Sequence, residues 1–261
     1  MSLATTAQRA SSWTMASSLA QRIGSMALFL AVWQIVAEAI HSRLLPSASA
    51  VFVALAEESV HGPLLFNLGI TLARVAAAFA VAMIVGTAIG IVMGRSRTID
   101  ALFDSWLVLL LNLPALVIIV LAYVWFGLTE AAAIGAVAVN KIPNTAVTLR
   151  EGARALDRRY ADMAASFHVG RWRTLRHVIM PQLYPYTFAA ARSGLALVWK
   201  IVLIVELLGR SNGVGFEIQL YFQQFDVTRI LAYSIAFMLV MQLIEWVVFQ
   251  PLERRASAWR Q

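Results

Sequence analysis

The chain contains no cysteine, which excludes a disulfide framework, thiol catalysis and a Cys-ligated metal. Charge is also scarce: 13% of the 261 residues are charged, against about 25% in an ordinary globular chain, and 60% are apolar. Fourteen acidic residues are too few to clothe a soluble protein of this size, so the balance points to a membrane protein. Lysine is nearly missing, with only Lys141 and Lys200 among 21 basic residues, and no basic run exceeds Arg158-Arg159 or Arg254-Arg255. The net charge of +7 therefore does not argue for a nucleic acid partner. There is no Gly-Lys-Ser/Thr phosphate loop, no His-Glu-x-x-His and no Gly-x-Ser-x-Gly, and His41, His61, His168 and His177 all fall between the apolar segments. An intramembrane enzyme is disfavoured, and no catalytic or metal-ligating set is expected. An ion channel or a secondary transporter stays open as the alternative, although no inverted repeat is visible.

What the chain has instead is long apolar windows. Crossing about 30 Å of hydrocarbon takes about 20 residues, and six windows approach that length: 23–40, 75–93, 106–126, 131–149, 186–208 and 230–249. Pro114 and Pro143 are expected to kink the third and fourth, and Pro251 to stop the sixth. Arginine sorts by side of the membrane. Arg9, Arg22, Arg95, Arg97, Arg150, Arg154, Arg158, Arg159, Arg171, Arg173, Arg176, Arg254, Arg255 and Arg260 share one side, and Arg43, Arg210 and Arg229 the other, which predicts cytoplasmic termini. The first window starts late and lacks a cleavage site, so it reads as a span and not as a signal peptide. The spacing of Ala78, Ala82, Gly86, Gly90 and Gly94 puts small residues on one stripe of the second span, where another helix can approach. A serine-capped helix is expected over about 52–58, and Ser211-Asn212-Gly213 followed by Ile218, Tyr221, Phe222 and Phe225 predicts a turn and a short outer helix against the bundle mouth.

Residues 150–181 are too charged to span and too regular for a slack linker. Tyr160, Met163, Ala164 and Phe167 recur at i, i+3, i+4 and i+7, and Trp172, Leu175 and Ile179 repeat the pattern, which predicts two short amphipathic helices flanking Gly170. Such a pair serves either to rest on lipid or to dock another protein.

Asp162-Met163-Ala164, His168 and Val178-Ile179-Met180-Pro181 resemble, spacing for spacing, the Glu-Ala-Ala … Gly … Ile-x-Leu-Pro pattern in the cytoplasmic loop of bacterial ABC importer permeases. His168 stands where that pattern has Gly, so Gly170, two residues on, is expected to supply the backbone freedom of the turn. The resemblance runs from about Trp33 to Trp259 and is similar to the nitrate, sulfonate and taurine branch. It is carried by Leu45-Pro46-Ser47-Ala48-Ser49, Thr71-Leu72-Ala73-Arg74-Val75, Leu113-Pro114 with Trp125-Phe126-Gly127, Glu206-Leu207-Leu208-Gly209, Gly213-Val214-Gly215 and Leu252-Glu253-Arg254-Arg255, in that order.

The resemblance implies an all-α integral membrane protein, a MetI-like type I importer permease with about six transmembrane helices in a single domain over 1–261. It implies a multi-pass position in the bacterial cytoplasmic (inner) membrane lipid bilayer. It further implies a homodimer, two separate ATP-binding subunits holding the ATP and Mg, and a periplasmic substrate-binding protein, with no cofactor on this chain. Asp162, Ala164, Phe167, His168, Val169, Gly170, Trp172 and Pro181 become the ATPase-docking residues. Charges within spans cost about 2.5–3.5 kcal/mol on insertion scales, so those present usually face a bundle interior or water. Lys141, Arg192, Lys200 and Glu206 are the translocation-path residues to consider. Arg192 and Lys200, about 12 Å apart along one helix, could line one path or each pair with a carboxylate such as Glu206 or Glu245. The solute expected is a small anion of sulfonate, nitrate or carboxylate type, with a neutral solute as the alternative if all the bases are paired.

Overall fold

The computed structural model describes residues 3–251, with the side chains of 21 and of 23–251 except 158, 161 and 171; the Leu252–Arg255 resemblance and the arginines at 254, 255 and 260 lie outside what it describes. Every described element is helical. Helix α1 (Leu3–Ile40) meets the body at α2, near its own C-terminal end. There Trp33 Nε1 donates to Pro46 O (3.0 Å), and Ser49 N donates to Gln34 Oε1 (3.0 Å). Over Ile23–Ile40 most of its apolar surface is open, as a lipid-facing helix would be. Ser47 caps α2 (Ala48–Val60) by accepting from Ala50 N, as its sequence predicts.

Helix α3 (Leu64–Arg95) is about 48 Å long, more than the second apolar window needs. Its N-terminal extension carries Asn67, Thr71 and Arg74. The predicted small-residue stripe lies against α6 (Glu130–Arg154): a Cβ on Gly86 would meet Ile142 O at 2.9 Å, on Gly90 Ala146 O at 2.5 Å, and on Gly94 Arg150 O at 2.6 Å. These backbones touch because no side chain separates them.

The third window, expected as one kinked span, is two helices, α4 (Arg97–Asn112) and α5 (Ala115–Phe126), bent by 96°. Pro114 explains why the break exceeds a kink. Its ring forces Leu113 into extended backbone (φ −71°, ψ 125°), and it offers no N–H to continue the ladder. Helix α6 runs unbroken through Pro143. Four described helices, or five elements counting the bent pair, are long and apolar enough to cross a membrane, and α6 is not among them. Protein surrounds α6 on several sides, α3, α5 and α9 among them, so it can carry Asn140, Lys141 and Asn144 without meeting hydrocarbon.

After α7 (Arg158–Ser166) come α8 (Arg171–Thr174), a π-helical turn (Leu175–Ile179) and α9 (Met180–Gly209). The second amphipathic helix, expected to stand alone, is therefore the first stretch of an unbroken helical run from Trp172 to Gly209. Helix α10 (Val214–Gln223) is the short helix expected after the Ser211-Asn212-Gly213 turn. Helix α11 (Val227–Ile244) ends in a second π turn (Glu245–Phe249). Each π turn lies two residues before a proline, Pro181 or Pro251. A proline ring clashes with the carbonyl four residues back, and widening the turn removes the clash. The core gathers Val75, Ala78, Ile119, Ala133, Val137, Val198 and Val202 from α3, α5, α6 and α9.

Candidate functional site

The element that joins α6 to α9 starts at Asp157, whose Oδ1 accepts from Arg159 N (2.9 Å) while its own N–H donates to Gln182 Oε1 (3.0 Å) and so ties α7 to α9. Helix α7 closes in a Schellman arrangement: His168 N donates to Ala165 O (3.0 Å) and Val169 N to Ala164 O (2.9 Å). The left-handed residue this requires is His168, at φ +51°. The expectation that Gly170 supplies the turn is overturned, because Gly170 lies outside the left-handed region and a Cβ added there would meet nothing within 4 Å. Gly170 instead begins α8, its carbonyl accepting from Thr174 N (3.0 Å). Of the predicted apolar face, Ala164 turns inward, while Tyr160, Met163, Phe167 (76% exposed) and Trp172 (71% exposed) form a bare crest. Asp162, His168, Val169, Gly170 and Pro181 are exposed beside it.

The four path residues do not converge. Lys141 is 1% exposed, wedged among α3, α6 and α9 with Nζ donating to Asn144 Oδ1 (2.9 Å) and its chain filling the notch at Gly194. Arg192 and Lys200 lie on a different, exposed face of α9. Arg192 pairs with Glu245 at 3.2 Å, and Lys200 Nζ stands 5.5 Å from the Trp199 ring centroid. Glu206 pairs with neither base of α9; it is fully buried and pairs with Arg74 at 2.7 Å.

Around Glu206 lies a polar knot that the sequence reading left in pieces. Glu206 Oε2 accepts from Thr71 Oγ1 (2.9 Å) and from Gly215 N (2.9 Å), and Val214 N donates to Thr71 Oγ1 (2.9 Å). Arg74 reaches Glu130 with Nε (2.9 Å) and Nη2 (2.6 Å), and donates to Asn212 O (2.8 Å) and to its side chain. Arg210 joins Glu130 at 2.5 Å, while Asn67 accepts from Gly213 N (2.7 Å) and donates to Glu217 Oε1 (2.8 Å). Gly213, at φ +105°, leaves no room for a side chain, since a Cβ would meet Glu206 Cδ at 2.4 Å. The Arg74 hydrogen bond holds the Glu130 carboxyl below its ordinary range, burial opposes this, and Arg210 adds to it. Three separate resemblance segments, at Thr71–Val75, Glu206–Gly209 and Gly213–Gly215, thus prove to be parts of one contact. The legible signal was the spacing of Asn67, Thr71 and Arg74, one polar face just ahead of an apolar window. A second ion pair, Arg229 to Glu58 at 2.9 Å, with Tyr233 Oη donating to Glu58 Oε2 (3.0 Å), fastens α2 to α11.

Known proteins agree with this architecture. The chain is 27% identical over 236 residues to the putative aliphatic sulfonates transport permease protein SsuC of Bacillus subtilis, covering 90% of this chain and 85% of that one. It is 26% identical over 256 residues to the taurine transport system permease protein TauC of Escherichia coli, covering 95% and 92%. A crystal structure of an amino acid ABC transporter with histidines shares the fold at TM-score 0.58 and 21% identity, over 77% of this chain and 97% of that one. Residues 86–250, from the packed glycine stripe through the exposed crest to the last π turn, match the family described as binding-protein-dependent transport system inner membrane component, and the chain belongs to that family.

Proposed function

We propose that the chain is the permease of an ATP-driven importer in the bacterial inner membrane. Two copies pair, and each docks a separate subunit that binds ATP and Mg and performs the hydrolysis. A periplasmic binding protein delivers the solute, and this chain catalyses no reaction itself. One observation carries the reading: Trp172, exposed like Phe167 across the His168 turn, begins a helical run that continues without a break to Gly209. A crest pushed by a closing motor would move α9 as a lever, because a continuous helix transmits displacement that a coil would absorb. Asp162, Ala164, His168, Val169, Gly170 and Pro181 shape or flank that docking surface. A channel or secondary transporter has no use for such a crest.

The proposed solute is a small anion of the sulfonate, nitrate or carboxylate type. Sulfonate and taurine permeases among the relatives support this, and so does buried Lys141, whose described hydrogen bond is to an amide and not a carboxylate. Lys200 and Arg192 on the exposed face of α9 are the further path residues. A neutral solute is the second reading, favoured by the carboxylates that offset Arg74 and Arg192; Glu206 would then serve the outer knot and not the path.

The test of docking is Trp172→Glu, which adds a charge to the apolar crest without touching the packed body. Membrane abundance should hold while ATPase copurification and uptake are lost. Normal uptake would mean that the crest merely rests on lipid.

A further inference from the structure

Between α3, α4 and α6 runs an apolar groove of about 420 Å³, walled by Ile89, Val92, Phe103, Trp106, Leu110 and Pro143. At the end nearest the break between α3 and α4 it meets a polar cleft of about 760 Å³, and Met93 lines both. The cleft holds Arg95, Arg97 and Arg154 with Asp100, Asp157 and Asp162. Most of these charges are committed. Arg154 pairs with Asp100 and Glu151, Asp100 also meets Arg150, and Asp157 caps α7. Arg95 and Arg97 are exposed and make no ion pair with another described residue; Asp162 faces the cleft from α7.

We propose that groove and cleft together bind one anionic phospholipid of the cytoplasmic leaflet. An acyl chain lies in the groove, and the headgroup phosphate is held by the guanidiniums of Arg95 and Arg97. Three features fit that occupant. The groove is almost wholly apolar, and its rim residues Phe103 and Trp106 are exposed on the bundle flank. Ile89 lies six residues before Arg95, about 9 Å along α3, within the ~5–10 Å that separates interfacial polar groups from apolar groups sunk into the headgroup/acyl boundary. Arg95 and Arg97 both line the cleft and pair with no other described residue, so they offer two positive charges to a phosphate, and the arginine distribution puts this end on the cytoplasmic side. A soluble peptide would match the cleft but not a groove open to hydrocarbon.

The experiment is native mass spectrometry of the full chain, with whatever subunits copurify, after exchange into detergent containing dioleoyl phosphatidylglycerol or dioleoyl phosphatidylcholine. The wild type should retain one phosphatidylglycerol per chain, at least about fivefold over phosphatidylcholine. The double variant Arg95→Gln with Arg97→Gln should lose that preference, and Arg95→Lys with Arg97→Lys should largely restore it. Ile89→Trp, which fills the groove, should lower retention of both lipids at an unchanged melting temperature. Equal retention of the two lipids by the wild type would overturn the proposal. So would insensitivity to both the double variant and Ile89→Trp, or displacement of the lipid by millimolar inorganic phosphate, which would make the cleft a site for free phosphate.

Discussion

At the scale of single residues, His168 is the most exposed departure from the pattern its neighbours obey. A left-handed backbone costs a residue with a Cβ about 1–2 kcal/mol, although His tolerates it better than branched residues do. His168→Gly should therefore hold or slightly raise the melting temperature of the purified chain, and His168→Val should lower it. Gly170→Val should change it little, because Gly170 has ordinary backbone angles and open space around it. The reverse order in thermal melts would mean that the turn is built differently. Arg74 carries a heavier load. Removing it strands a fully buried Glu206, a loss of about 3–5 kcal/mol for a broken buried pair. Arg74→Ala should collapse membrane abundance, and adding Glu206→Gln should recover part of it. Equal abundance of Arg74→Ala and the wild type would show the pair to be dispensable.

At the scale of elements, the small-residue stripe of α3 states its own test. Gly90→Val drives a Cβ into Ala146 O and should destabilise by about 1–3 kcal/mol as overpacking, whereas Gly135→Ala, with nothing within 4 Å, should be neutral; fluorescence-detected size exclusion after heating measures both. This stripe was fully legible, because a four-residue period of small side chains has one geometric use in a helix. Pro114 was half legible. Its loss of a hydrogen-bond donor can be read from sequence, but whether that gives a kink or a 96° break depends on what α4 finds to pack against, here Met93 and Ala146 through Leu107. The continuity of α8 with α9 was hidden, because Pro181 falls between the amphipathic stretch and the apolar window and the π turn that admits it leaves no composition signature. The apolar windows found the helices but not their neighbours. Glu206 looked like a partner for Lys200, yet the helical turn of α9 points it at Arg74, a residue more than a hundred positions away in sequence.

At the scale of the whole molecule, two polar joints hold the bundle: the Arg74 knot across α3, α6 and α9, and the Glu58 and Arg229 pair between α2 and α11. Glu130 makes the first joint sensitive to acid. Its carboxyl is held below the ordinary glutamate value of about 4.3, so its contribution to stability is complete above that value and is lost as pH falls through the lowered one. The difference in melting temperature between wild type and Glu130→Gln should be constant from neutral pH to about 5 and vanish under stronger acid. A difference unchanged at acid pH would remove the salt link from the account.

The central claim is that this chain transports only as the membrane half of a larger ATP-driven machine. The most direct measurement is uptake of a radiolabelled small sulfonate into proteoliposomes containing the chain, its copurifying ATPase, ATP and a periplasmic binding protein, with each component omitted in turn. Uptake should require all of them, and should disappear in Trp172→Glu while the protein remains in the membrane. Uptake by the chain alone, without ATP or partners, would contradict the account.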